Sequence, residues 1–250
     1  MEKQIRVAVA GANGRMGQEV VKMLGEDAQL LYTGNLDTRG DAGSIREQME
    51  AMKPDVLVDF TTPHSVYRHM EICLQYGVRP VVGTTGLTPE QLQEMAERYQ
   101  EAGLGAIIAP NFAIGAILCM KFAALASKYM PHVEIIELHH DRKLDAPSGT
   151  ALKTAEMIAA ARETLKQGHP EEKEKIPGAR GGEYEGFRIH SVRLPGLVAH
   201  QEVLFGAVGQ TLSIRHDSIS RESFMPGVNM AIKAVMNTTN LIYGLEHLLD

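Results

Sequence analysis

The most constraining feature of the sequence is a glycine-rich turn that follows its first apolar segment. The segment Ile5–Ala10 is typical of a buried β-strand, and Met16–Leu24 has the apolar spacing of a helix. The turn between them reads Gly11-Ala12-Asn13-Gly14-Arg15-Met16-Gly17. Glycines in such a turn let the backbone approach a pyrophosphate, and the helix start adds N–H groups and partial positive charge. The spacing is GxxGxxG rather than GxGxxG, so a glycine-rich turn without a ligand stays open as the alternative.

Apolar strands and amphipathic helices alternate through the first half of the chain. This pattern predicts a parallel sheet covered by helices, as in a dinucleotide-binding fold. A helix start is marked by Thr88, Pro89 and Gln91, which supply a cap, a proline at the first position and a capping-box side chain. The expected strands are Ile5–Ala10, Leu30–Leu36, Val56–Phe60, Pro80–Val82 and Ala106–Ala109.

The second half follows a different pattern, which predicts a second domain. Its β-rich segments come one after another without helices between them, as in an antiparallel or mixed sheet. The charged, glycine-rich stretch Gly168–Gly186 is expected to be a mobile loop, and the periodicity of Met230–Leu248 predicts a closing helix. The other expected elements are helices at Ile114–Met130 and Ser148–Lys166 and strands at Val133–His139, Phe187–Leu194, Val198–Val208 and Thr211–His216.

Composition narrows the classes of partner. A net charge of −6 without a dense basic run argues against nucleic acid as the main partner. No uninterrupted apolar window long enough to span a bilayer occurs, and the first residues do not read as a signal peptide, so a cytoplasmic protein without a membrane partner is expected. Cys73 and Cys119 form no CxxC pair and are expected to be buried free thiols; no metal site is predicted.

Candidate ribose-binding residues follow the second predicted strand. Asp37 stands where an acidic side chain accepts hydrogen bonds from the adenosine ribose. Arg39 would instead suit a 2′-phosphate, and Arg15 is expected in the same region. The residues therefore leave both NADH and NADPH open as the cofactor.

Two further loops follow predicted strands at the edge where parallel sheets bind ligands. They read Gly83-Thr84-Thr85-Gly86 and Ala109-Pro110-Asn111-Phe112. Both are small and rich in exposed backbone, as a nicotinamide and its ribose require. Taken alone, each is equally compatible with an ordinary turn.

The segment 137–151, ELHHDRKLDAPSGTA, is the most informative for chemistry. Four groups able to carry positive charge fall within five positions, next to a helix start at Pro147 and Ser148. The N–H groups of Gly149 and Thr150 are expected to make no hydrogen bond within the helix, and cations beside such a helix start form an anion site suited to carboxylates. Histidine, and lysine with a lowered pKa, can also exchange a proton near neutrality. The four groups are His139, His140, Arg142 and Lys143.

A solvated surface turn is the competing interpretation of this charged run. On a continuing strand His139 and His140 would face opposite sides, so they could share a cleft only if the strand ends between or just after them. Asp141 and Asp145 partly cancel the positive charge and are expected to orient the bases.

Taken together, these residues resemble the 4-hydroxy-tetrahydrodipicolinate reductase (dihydrodipicolinate reductase) family, nearly end to end. The resemblance rests on VAVAGANGRMG, VDFTTP, VVGTTG, APNFAIG, ELHHDRKLDAPSGTA, GFRIHSVRLPGLVAHQEVLFG and SRESFMPGV. It implies an α/β protein with a Rossmann-like dinucleotide-binding domain over residues 1–113, completed by a C-terminal helix at 220–250. Residues 114–219 would form a mixed α/β substrate-binding and tetramerisation domain of a homotetramer.

The resemblance also implies roles for residues. His139 matches the proton donor/acceptor and Lys143 the second proton donor, while His140, Gly149 and Thr150 match substrate-binding positions. Thr38 separates the acid from Arg39, whereas family members often place the basic residue directly after the acid, so cofactor preference stays open. The matching dinucleotide contacts are Gly11, Ala12, Asn13, Gly14, Arg15, Met16, Asp37, Gly83, Thr84, Thr85, Ala109, Pro110, Asn111 and Phe112.

The implied activity is the NAD(P)H-dependent reduction of dehydrated 4-hydroxy-tetrahydrodipicolinate, a small dicarboxylate, in lysine and diaminopimelate biosynthesis. Two alternatives remain. Another Rossmann-type dehydrogenase of a small carboxylate would not need the histidine–lysine run joined to the PSGT helix start. A dinucleotide-binding redox sensor would tolerate loss of Lys143 and carry a partner-binding extension, which the sequence does not reveal.

Overall fold

The structure is a computed structural model, and it describes residues 3–37, 39 and 42–249. The chain divides into two compact units, one formed by the residues up to Ile114 together with those from Phe224 onward, and the other by Gly115–Ser223. None of the helices in the described residues combines the length and apolar character that a bilayer crossing demands.

The elements alternate regularly at first and then become richer in strands. Up to residue 108 they are β1 (Ile5–Ala10), α1 (Arg15–Glu26), β2 (Leu30–Leu36), α2 (Ala42–Met52), β3 (Val56–Asp59), α3 (Val66–Tyr76), β4 (Arg79–Val82), α4 (Pro89–Glu101) and β5 (Ala106–Ile108). The remainder are α5 (Ile114–Ser127), β6 (His132–His139), α6 (Gly149–Ala161), β7 (Gly182–Tyr184), β8 (Phe187–Arg193), β9 (Ala199–Ala207), β10 (Gln210–Ser218), α7 (Met225–Val235) and β11 (Leu241–Tyr243), with short 3₁₀-helices at Arg221–Phe224 and Leu245–Leu248.

The first unit contains a six-stranded sheet in the order β11-β5-β4-β3-β1-β2. Every pair in it is parallel, which confirms the predicted Rossmann-like sheet. β3 is buried at all four positions, as expected for a central strand covered on both faces. The chain turns from β1 to β2 on one side and to β3 on the other, and ligands of such sheets bind at this switch point. The loops that matter for a dinucleotide are therefore those after β1, β3 and their neighbours.

The predicted C-terminal helix at 220–250 is wrong beyond α7. The chain leaves the helix after Val235 and enters β11, which pairs in parallel with β5. Ala106 N donates to Asn240 O at 3.1 Å, and Gly244 N donates to Ile108 O at 2.8 Å. The three apolar residues Leu241–Tyr243 fit the spacing of a helix and of a strand equally well. They form a strand because the edge of β5 is available for pairing, and the local sequence pattern does not reveal that edge.

The second unit contains a five-stranded sheet in the order β10-β9-β6-β8-β7. β6 and β8 are parallel and the other pairs antiparallel, which confirms the predicted mixed sheet. β7 lies inside the stretch expected to be a loop, because Gly182–Tyr184 pair with β8. α6 also ends at Ala161, earlier than the predicted Lys166.

The core of the second unit positions the inward face of β6. Val133 and Ile135 pack with apolar residues of α5, α6, β8 and β9. Side chains alternate along a strand, so Glu137 and His139 extend from the same face as these two core residues. Glu137 is fully buried, and the inward face therefore ends in a polar group. Cys73 and Cys119 are buried free thiols, as expected.

Candidate active site

The turn after β1 requires glycine at several positions. Gly11 has a φ of +84°, and a Cβ there would lie 2.5 Å from the carbonyl oxygen of Phe60. A Cβ on Gly17 would overlap the carbonyl oxygen of Gly11. Gly14 N donates to that same oxygen at 2.9 Å, which closes the turn. The backbone at Gly11 and Gly17 is thus packed too tightly for a side chain.

The N-terminus of α1 fits an anionic group. Its N-cap is Gly14, which offers no side-chain hydrogen bond, and the first turn holds no acidic residue. The first N–H groups of a helix lack partners within the helix, so they and the helix dipole favour a phosphate. Asn35 Oδ1 accepts from Ala12 N at 3.1 Å and holds the turn against β2. Asn13 and Arg15 are exposed and Met16 is half-buried.

Asp37 and Arg39 bind each other just beyond β2. Arg39 Nη2 lies 2.6 Å from Asp37 Oδ2, and Arg39 Nε lies 2.9 Å from Oδ1. The hydrogen bond from Arg39 lowers the pKa of Asp37 to about 2. Gln48 holds the backbone of Asp37 by accepting from its N–H and donating to its carbonyl, each at 2.9 Å. A ribose hydroxyl or a 2′-phosphate would compete with this ion pair; Thr38 lies outside the described residues.

The two predicted nicotinamide loops meet in space. Thr84, Thr85 and Gly86 line the same small cavity as Pro110. The Phe60 and Phe112 rings pack with centroids 5.8 Å apart, and a Cβ on Gly83 would overlap the Phe60 ring. Phe60 therefore contacts the loops that follow β1, β4 and β5. Ala109 N donates to Val82 O at 2.9 Å, and Asn111 Oδ1 accepts from Ala113 N at 2.8 Å.

A buried carboxylate that sequence reasoning missed fixes this edge of the sheet. Asp59 ends β3, and its Oδ1 accepts from the Thr84 hydroxyl and the Thr61 hydroxyl, each at 2.7 Å. Its Oδ2 lies 2.5 Å from His69 Nδ1. Burial would raise the pKa of Asp59, but hydrogen bonds with His69, Thr61 and Thr84 outweigh burial and lower it. Asp59 and Thr61 lie in the motif VDFTTP, on which the family resemblance rests. His69 lies on α3, and no sequence motif indicated it.

In the second unit, β6 ends at His139, so the condition for the two histidines to share a cleft is met. His140 lies past the strand end and is exposed, whereas the His139 side chain is 14% exposed. Lys143 Nζ donates to both carboxylate oxygens of Asp145, at 2.8 and 3.0 Å. The hydrogen bond from Lys143 lowers the pKa of Asp145. A substrate carboxylate at Lys143 would replace that of Asp145.

The start of α6 provides a second anion-binding device. Ser148 caps the helix, because its hydroxyl accepts from Ala151 N at 3.2 Å. Gly149 is exposed and has open space where a Cβ would stand, and Thr150 is half-buried. The first turn contains no acidic residue that would compete for the N–H groups.

Glu137 and Arg193 were not predicted as site residues. Glu137 is fully buried next to His139, and Arg193 binds its carboxylate with two nitrogens, at 2.7 and 2.9 Å. The register of β6 and β8 aligns His139 with Arg193. The motif contains Glu137, but a partner so distant in sequence gives no local signal. No metal-like grouping of histidine, cysteine, aspartate or glutamate occurs in the described part of the chain.

Comparisons with known proteins agree across the whole chain. The family models for the N-terminus and C-terminus of dihydrodipicolinate reductase match residues 5–112 and 115–249. The 4-hydroxy-tetrahydrodipicolinate reductase of Halalkalibacterium halodurans is 57% identical, with 98% of this chain and 100% of the relative covered. That of Geobacillus kaustophilus is 54% identical, with 98% and 99% covered.

The chain is also similar to a solved structure of a dihydrodipicolinate reductase. The dipicolinate-bound dihydrodipicolinate reductase from Paenisporosarcina sp. TG-14 is 52% identical to this chain, with a TM-score of 0.90. The match covers 98% of this chain and 100% of the solved chain. An amine dehydrogenase from Mycobacterium smegmatis, 14% identical with a TM-score of 0.62, shares the fold alone. The chain therefore belongs to the dihydrodipicolinate reductase family and is an oxidoreductase.

Proposed function

We propose that the chain reduces the dehydrated form of 4-hydroxy-tetrahydrodipicolinate to tetrahydrodipicolinate with NAD(P)H, in lysine and diaminopimelate biosynthesis. Relatives covering the chain nearly end to end are named for this substrate or its older name. The observation that carries the proposal is the run of cationic groups from His139 to Lys143 next to a helix start at Gly149 whose first turn holds no acidic residue, on a chain that also has a dinucleotide turn.

The first unit would hold the dinucleotide, which supplies a hydride when bound. The turn from Gly11 to Met16 and the start of α1 receive the pyrophosphate, because they offer N–H groups without a competing acid. Asp37 accepts from the ribose hydroxyls, and Arg39 suits a 2′-phosphate. Gly83–Thr85 and Ala109–Phe112 face the nicotinamide half; the Thr84 hydroxyl already donates to Asp59, so the backbone of that loop makes the contact.

The second unit would hold the substrate. Lys143 and the N–H groups of Gly149 and Thr150 bind one carboxylate, since an ammonium and a helix start both favour oxygen anions. His140, exposed beside them, contributes to the same binding. These groups also stabilise charge that develops on the substrate during reduction.

His139 and Lys143 are the proposed catalytic residues. When hydride reaches C4 of the unsaturated cyclic imine, negative charge moves through the ring towards the imine nitrogen, and a proton is needed to complete the reduction. His139 supplies that proton, since imidazole exchanges protons near neutrality. Lys143 is the second proton donor, next to the substrate carboxylate that it binds.

Assembly and location are part of the same proposal. A homotetramer formed through the second unit would cover exposed apolar side chains of α5 and of the turn after it; Phe122 is 52% exposed, Leu125 55% and, beyond the helix, Tyr129 79%. Sedimentation velocity would test it: a tetramer supports the assembly, and a monomer contradicts it. A cytoplasmic location follows from the biosynthetic role.

The experiment that tests the function is steady-state oxidation of NADH and of NADPH, with the substrate generated in situ by its synthase. Turnover dependent on the synthase product supports the proposal, and the ratio of the two kcat/KM values reports whether Asp37 or Arg39 dominates. Absence of turnover, with dinucleotide binding measured separately, would contradict the substrate assignment.

A further inference from the structure

Two carboxylates of β6 each bind one arginine and one histidine, but in different surroundings. Glu134 binds Arg180 and His190 Nε2, and its side chain is 28% exposed. Glu137 binds Arg193 and His139 Nδ1, and its side chain is fully buried. The two glutamates are three residues apart on a strand and so point to opposite faces of the sheet. The pair therefore offers a test site and an internal control.

The Glu137 carboxylate connects His139, the start of α6 and the loop that holds Lys143. Its Oε1 accepts from Ser148 N at 3.3 Å, at the start of α6. Arg193 Nη2 donates both to Glu137 Oε1 at 2.7 Å and to the Asp145 carbonyl at 2.8 Å. Asp145 in turn holds Lys143. One buried group thus anchors the helix start, the lysine loop and the histidine.

The same carboxylate determines which nitrogen of His139 carries a proton. His139 Nδ1 lies 2.5 Å from Glu137 Oε2, and an ionised carboxylate only accepts hydrogen bonds. Nδ1 is therefore protonated. Within the described residues, His139 Nε2 has no hydrogen-bond partner, and the ring is partly open to solvent. Nε2 is the nitrogen left free to meet a ligand.

Glu137 is suited to hold the protonated Nδ1 of His139 in place rather than to accept its proton. Burial would raise its pKa, but hydrogen bonds with His139, Arg193 and Ser191 outweigh burial and lower the pKa to about 2. The carboxylate therefore stays ionised at neutral pH. Without Arg193, the buried carboxylate would have no permanently charged cation among these partners.

We infer that Glu137, supported by Arg193, is a positioning residue: it fixes His139 in the Nδ1-protonated tautomer, so that Nε2 takes up a further proton from solvent and passes it to the substrate. The inference rests on the proposed role of His139, but the tautomer exists without substrate and can be measured separately.

The first test is ¹⁵N NMR of the histidine-labelled protein without substrate, at a pH where the ring is neutral, with the His139 signals assigned by their loss in His139→Asn. The expected result is a protonated Nδ1 and an unprotonated Nε2. The opposite tautomer would overturn the inference whether or not the protein reduces its substrate. This measurement needs no Glu137 variant to fold.

The second test compares Glu137→Gln with the matched control Glu134→Gln. Glu137→Gln should lower kcat on the order of 100-fold, as loss of a group that orients a histidine does, with KM for NADH changed by less than about threefold. Glu134→Gln should leave kcat within about twofold, because it acts on the other face of the sheet. Equal losses in both variants would overturn the inference.

A double-mutant cycle separates positioning from general damage. If Glu137 acts through His139, Glu137→Gln in the His139→Asn background should lower kcat little further, by less than about threefold. A full second loss of kcat in that background would mean that Glu137 acts independently of His139, and would overturn the inference.

Discussion

Each unit contains a buried carboxylate held 2.5 Å from a histidine Nδ1, but the two histidines differ in exposure. Asp59 and His69 are both enclosed, with side chains 1% and 4% exposed. Glu137 is equally enclosed, but the His139 side chain is 14% exposed and its Nε2 carries no partner among the described residues. The same kind of pair thus holds loops together in the first unit and leaves a ring nitrogen partly open to solvent in the second. The proposed catalytic histidine therefore differs from the enclosed one in the access that solvent has to its ring.

The largest expected effect concerns the side chains that face the substrate. Lys143→Ala should lower kcat/KM by at least about 100-fold, because the ammonium proposed to bind the substrate carboxylate is lost. Steady-state kinetics with the synthase-generated substrate measures it. The matched control is Lys153→Ala, an exposed lysine of α6 paired with Glu156, which should stay within about twofold. An equal loss in both variants would contradict the assignment of Lys143.

The sequence predicted the parts of both units whose signals are local. The turn from Gly11 to Gly17 and the start of α6 depend on residues adjacent in the chain, so their spacing indicated them. The partners of the buried carboxylates depend on which strands meet: Arg193 reaches Glu137 only through the β6–β8 register. Likewise, Leu241–Tyr243 form the strand β11 because the edge of β5 is available for pairing. These pairings depend on the tertiary structure, and no local pattern in a single sequence indicates them.

Matched substitutions of the two histidines sharpen the comparison. His139→Asn should lower kcat on the order of 100-fold with little change in the melting temperature, because its ring is at the partly open edge of the core. His69→Asn should lower the free energy of unfolding by about 3 kcal/mol, since it leaves a buried carboxylate without its partner, and should raise KM for the dinucleotide. Calorimetry and kinetics on the two proteins measure both. A reversed pattern would break the comparison.

Acid should remove the stabilisation that Glu137 provides. Its pKa is lowered to about 2 in the folded chain from 4.5, so its contribution is complete above pH 4.5 and is lost as the pH falls towards 2. Wild type should exceed Glu137→Gln in unfolding free energy at pH 7 by up to about 3 kcal/mol, and the gap should shrink at pH 3.5. Urea titrations at both pH values measure the gap. A gap that widens in acid would contradict the low pKa.

The smallest expected effect is on the exposed ribose-binding pair. Asp37→Ala should raise KM for NADH by about threefold to tenfold, and Arg39→Ala should act mainly on KM for NADPH, because each removes one exposed contact. Parallel kinetics with both cofactors measure the shift. Unchanged KM values for both cofactors would remove the pair from the site.

We expect the first unit to bind the dinucleotide and the second unit to bind the dicarboxylate. Calorimetric titration of wild type and Lys143→Ala, first with NADH and then with dipicolinate, tests it most directly. The NADH Kd should agree within about twofold in the two proteins, and the variant should bind dipicolinate at least about tenfold more weakly. A parallel loss of NADH affinity, or dipicolinate binding that does not change, would contradict it.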